Sequence, residues 1–156
     1  MIRTAINNVL EKVLIAVISI MLIAVVWQVI SRYVLGAPST LTDEVASFSL
    51  IWLGLLGAAY ATGKELHLAI DLIPKKIIAK SPTLFMGVVT FSIAVFAFLV
   101  MVIGGVRLCW LTYTLNQNSA ALEIPLAFVY AVLPLSGLLI VYFSLDIYVK
   151  QRKAFK

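Results

Sequence analysis

One cysteine and one histidine among 156 residues leave little for redox or metal chemistry. Cys109 cannot close a disulfide within the chain or supply half of a thiol pair, which excludes a thiol-quinone oxidoreductase and any cysteine-rich metal cluster. His67 lies outside every long apolar run, so no run offers the axial histidines of a membrane di-haem cytochrome. Charge is scarce as well. Asp, Glu, Lys and Arg make up 12% of the chain, about half the share of an ordinary soluble domain.

What fills the space is apolar. Hydrophobic residues account for 63% of the chain and the mean hydropathy is +1.09. Val13 to Ser31, Val45 to Gly63, Ser81 to Val106 and Ile124 to Leu145 contain no Asp, Glu, Lys, Arg or His. Each run is close to or above the roughly 20 residues that a helix needs to cross the hydrocarbon of a bilayer. The reading is an all-α integral membrane protein: a single four-helix domain over 1–156 with spans at about 13–31, 45–63, 82–106 and 124–145. The first span follows Arg3 and Lys12 as a secretory signal would. It leads into Trp27, Arg32 and Tyr33 rather than a small-residue cleavage site, so it is expected to remain as a helix.

Of the 12 Lys and Arg residues, ten flank the spans on one side, and Arg32 and Arg107 fall on the other. The positive-inside rule then puts both termini and the stretch between spans two and three in the cytoplasm of a multi-pass inner-membrane protein. The net charge of +5 is thereby a topology signal, and nucleic acid is not an expected partner. Membrane lipid is.

The cytoplasmic stretch at about 64–80 concentrates the polar residues. His67 and Asp71 are spaced i, i+4 and would share a helix face, although Leu66, Leu68, Ile70 and Leu72 also alternate as in a strand. Next, Pro74 can begin a helix carrying Lys75, Lys76 and Lys80 among isoleucines, a pattern suited to lying along anionic headgroups. A zinc site needs three or four ligands, and His67 has only Asp71 and Glu65 nearby, so no metal or cofactor is expected.

No span carries the ionisable group that a proton-coupled exporter exchanges with substrate. The spans speak of packing instead. Gly54, Gly57, Ala58 and Ala61 form one small-residue stripe, a candidate interface either within this chain or with another subunit. Trp52, deeper than the aromatic belt of Trp27, Tyr33, Trp110 and Tyr113, is read with that face as a packing residue. On the extracytoplasmic side Thr40 is the expected N-cap of the second helix, with Asp43 and Glu44 at its positive end. Glu123 and Pro125 start the fourth helix, and Pro134 should kink it.

Taken together, "WQVISRYVLG", "LTDEVASFSLIWLGLLGAAYATGKELHLAIDLIP" and "ALEIPLAFVYAVLPLSG" resemble the small, DctQ-type membrane subunit of TRAP transporters, over most of the chain. The sequence departs at Phe48 and Ser49, where many relatives carry Arg-Tyr. The resemblance implies no enzyme. It implies a scaffold subunit in a stable heterodimer with a large elevator subunit, which holds the substrate and sodium sites and imports a carboxylate such as a dicarboxylate or sialic acid. A periplasmic binding protein would deliver that substrate, and Arg32, Asp43 and Glu44 are the candidate extracytoplasmic contacts. His67, Asp71 and the three lysines would brace the scaffold at the cytoplasmic surface. Two other classes fit the same residues: an assembly factor for another membrane complex, and a homo-oligomeric channel or exporter using Ser19, Gln28 and Ser136.

Overall fold

A computed structural model describes residues 2–65 and 82–154. Among these residues every regular element is helical, and the one extended pairing is an isolated bridge between Asn118 and Pro125. Four helices are long and apolar enough to cross a membrane: Arg3–Tyr33, Thr40–Gly63, Gly87–Thr114 and Leu126–Lys150.

Helix α1 runs Ile2–Tyr33 and α2 runs Thr40–Gly63. Between them Gly36 takes a left-handed φ of 66°, a conformation that costs glycine nothing, and the chain reverses there. The N-cap of α2 is Ser39 rather than the expected Thr40: Ser39 Oγ accepts from the Thr42 amide at 3.5 Å. Both residues are good caps, and the side chain one position earlier reaches the third free amide of the first turn.

The third helix is built in three parts: α3 (Pro82–Phe96), a π-helical segment (Ala97–Gly104) and α4 (Gly105–Thr114). It therefore continues well past Val106, where the uncharged run ends, and takes Arg107 into the helix. The fourth helix is split. Helix α5 (Leu126–Tyr130) ends at Ala131 and α6 (Val132–Ala154) follows. Pro134 was expected to kink the interior; instead the chain breaks just before it. In the first turn of α6 the missing proline N–H is one of the donors that a helix start leaves unbonded anyway.

Helices α2 and α6 form the centre, with α1 packed on α2 and the third helix packed on α6. One core gathers Leu10, Leu14, Leu56, Val132 and Phe143, and a second gathers Ala59, Ala97, Met101 and Ile140. Lipid gives apolar helices no hydrophobic reason to associate, so close backbone approach must supply contact energy. Glycines allow it at two crossings. A Cβ on Gly137 would lie 2.7 Å from Met101 Cβ, and one on Gly105 would lie 2.8 Å from Pro134 Cδ.

The start of α1, the end of α2 and the last turns of α6 meet at one face, so both termini lie on the same side. Arg3 ties them. Its Nε and Nη2 donate to the Gly63 carbonyl at 2.9 and 2.6 Å, and Asn7 Nδ2 donates to the same oxygen at 3.1 Å. Arg3 Nη1 pairs with Glu65 at 2.8 Å and with Asp146 at 3.4 Å, and Lys150 holds Asp146 at 2.8 Å. A cation thus satisfies a carbonyl at the negative end of α2.

Replacing Gly137 with Val should overpack the α6 crossing and cost about 1 to 3 kcal/mol. Thermal unfolding of the purified chain in detergent should show a clear loss of stability for this variant, and none for Gly54→Ala, since a Cβ on Gly54 meets nothing within 4 Å.

Candidate functional site

The stripe on α2 faces outward. Gly54 and Ala58 are exposed, Gly57 and Ala61 are half-buried, and an added Cβ at Gly54 or Gly57 would touch nothing within 4 Å. The glycines that actually seat helix against helix in this chain are Gly63, Gly105 and Gly137. Of the two readings left open by the sequence, packing within the chain is, among the described residues, not what Gly54 and Gly57 serve. Trp52 points the other way and serves the fold: its Nε1 donates to the Val129 carbonyl at 3.1 Å, in the turn just before the α5–α6 break. That bond fills an acceptor which the break exposes.

On the face opposite the termini, the two acids of α2 take up different partners. Asp43 accepts from Gln28 Nε2 at 2.8 Å, joining α2 to α1. Glu44 holds a turn. Its carboxylate accepts from Ser119 Oγ and from the backbone amides of Ala120 (2.8 Å), Leu122 (3.0 Å) and Ala121 (3.0 Å). Successive amides pointing at one anion form a nest, and here the anion is the protein's own side chain. Helix capping was the simplest expectation for Glu44; the structure gives it a longer reach, to a loop 75 residues away. Arg32 is exposed at the end of α1.

His67, Asp71, Lys75, Lys76 and Lys80 lie outside the described residues, as does the whole interfacial segment apart from Lys64 and Glu65. Among the described residues no three His, Cys, Asp or Glu side chains converge as metal ligands would. The hollows are greasy. A groove of about 470 Å³ between α1 and α6 is lined by residues such as Ile6, Val9, Val13, Trp52 and Leu139, without the convergent polar groups that mark a small-molecule site.

Sequence reasoning passed over Asn7 and Ser119, and read Arg3 and Gln28 for other roles than the ones they take here. Arg3 and Asn7 did carry a signal, two polar residues at i, i+4 leading into an apolar helix. Ser119 carried none, because its partner is distant in the chain.

Four apolar spans, with Arg3 and Glu44 tying helix ends and a loop within the chain, define the class as a helical multi-pass membrane protein. The chain matches the family model for "Tripartite ATP-independent periplasmic transporters, DctQ component" over residues 21–154, and it belongs to that family. It is a multi-pass inner-membrane transport component, not an enzyme. A protein of Haemophilus influenzae bearing the name of a TRAP transporter small permease protein is 24% identical over 116 residues, covering 74% of this chain and 69% of that one. The sialic acid TRAP transporter small permease protein SiaQ of Vibrio cholerae is 30% identical over 80 residues, 49% of this chain and 46% of SiaQ.

Replacing Glu44 with Ala removes the acceptor of three backbone amides and a hydroxyl, and should loosen the 119–122 turn. Hydrogen exchange at Ala120 to Leu122 should quicken at least several-fold, and Glu44→Gln, which keeps one acceptor oxygen, should fall between.

Proposed function

We propose that this chain is the small scaffold subunit of a sodium-driven TRAP importer of a carboxylate. It forms a stable heterodimer with the large membrane subunit, which carries substrate and sodium, while a periplasmic binding protein docks transiently. The observation carrying this reading is the outward stripe of α2, a smooth face with no use inside the chain. Backbone approach at such a face is what holds helices of separate subunits together in lipid. SiaQ by its name serves sialic acid, an acid sugar, which makes the sialic acid class a first substrate to test.

The exporter reading loses its polar residues to internal bonds. Ser19 Oγ bonds the Ile15 carbonyl, Gln28 is engaged by Asp43, and buried Ser136 bonds the Leu133 carbonyl, which leaves that reading with little polar surface to support it. An assembly-factor role lacks any supporting contact. The termini, together on one face, are assigned to the cytoplasm by the charge asymmetry of the flanks, ten Lys and Arg on that side against Arg32 on the other, Arg107 lying inside a span. The loop face, with Arg32, Asp43 and Glu44, then looks into the periplasm, and the segment around His67, Asp71, Lys75, Lys76 and Lys80 braces the cytoplasmic surface.

Three measurements test this. Proteoliposomes holding this chain alone should take up no sialic acid under a sodium gradient, whereas uptake should appear with the large subunit and binding protein; robust uptake by the chain alone would reinstate the exporter. Alkaline phosphatase fused after Lys156 should be inactive and a fusion near Asn116 active, with the reverse result inverting the topology. Gly57→Leu should leave the isolated chain folded and lower recovery of the large subunit at least about five-fold, from an overpacking cost of 1 to 3 kcal/mol. Undiminished recovery would remove the stripe from the interface.

A further inference from the structure

The structure carries Arg107 inside the third span, seven residues before its Thr114 end. It lies in α4 two residues beyond Gly105, whose Cβ position abuts Pro134 at the start of α6. Pro134 lies in the loop-side third of the fourth span, Leu126–Lys150, so Arg107 stands inside the loop-side part of the bundle. By the rise of an α-helix it is about 10 Å inside the Thr114 end. The side chain is exposed, and its surroundings on that face are apolar: Val100, Ile103, Leu111 and Trp110, the last 71% exposed. Among the described residues it forms no salt bridge and donates no side-chain hydrogen bond.

A guanidinium on such a face requires an acceptor, since arginine does not give up its proton. Direction narrows the choice. Helical side chains lean toward the N-terminus of their helix, and α4 begins inside the membrane and ends at the loop face. Arg107 therefore leans toward the bilayer midplane, away from the nearer headgroups. A lipid phosphate would demand that the stem fold back against this lean; an acid on a neighbouring membrane helix would not.

We infer that Arg107 is an intramembrane docking residue, whose guanidinium pairs with an Asp or Glu carboxylate on a helix of the large membrane subunit, flanked by Ile103 and Trp110. The inference rests on the small-subunit reading above and adds a second contact to it. Arginine suits the task, because its planar fork can hold both carboxylate oxygens where a lysine offers a single point charge.

The test is co-expression of the tagged chain with the large subunit and measurement of large-subunit recovery from detergent extracts, for wild type and for Arg107→Lys, Arg107→Leu and Arg107→Glu. Recovery should fall at least about tenfold for Leu, further for Glu, and least for Lys. Arg107→Leu only removes a charge from an apolar face, so its thermal stability in isolation should match wild type. Among Asp and Glu positions in the partner's membrane helices, one change to Arg should restore recovery of Arg107→Glu.

Equal recovery of all four overturns the inference and leaves the small-subunit reading standing. So does unchanged recovery with loss of bound anionic phospholipid in native mass spectrometry, which would make Arg107 a headgroup anchor. Failure of the wild type itself to recover the large subunit overturns both.

Discussion

Fastening apolar helices to one another without water to drive them together is the constraint on which this bundle depends. A leucine gains nothing by leaving lipid for another leucine, so stability has to come from fit and from polar groups with nowhere else to go. The chain meets that requirement in two ways. Mid-membrane, Gly105 and Gly137 bring the third helix against α6 at near-contact distance. At the ends, Arg3 binds the Gly63 carbonyl and Glu44 binds the 119–122 turn, each collecting donors or acceptors that helix ends and loops leave open.

Those two fastenings also divide the surface. Because α1 and the third helix flank the central pair, one side of α2 is left uncovered by the described residues, and Gly54 and Ala58 lie on it together with Leu50. Small residues that pack nothing in the chain itself are poor lipid anchors but good seats for a second backbone. On the proposed reading the labour divides: internal glycines hold the subunit, and external ones are left for assembly.

The four spans and the shared side of the termini were legible because a run free of charge has one meaning when about 20 residues long. Finer detail followed less well. Pro134 announced a disturbance, but whether a proline bends a helix or sits at the start of a new one depends on the turn before it. Glycine spacing pointed to Gly54 and Gly57, yet the crossings used Gly63, Gly105 and Gly137, since spacing shows a stripe and not what lies opposite. Glu44 was visible as an acid near a helix start. Its attachment to Ser119, 75 residues on, is a matter of tertiary distance that no local pattern encodes.

The two outer helices are longer than a bilayer requires: their apolar spans run 31 residues in α1 and 28 in the third helix, against the roughly 20 that cross the hydrocarbon. The α2 span, at 24 residues, asks for less. Lipid beside the two outer helices must therefore thicken, or those helices must lean more than the shorter central pair they enclose.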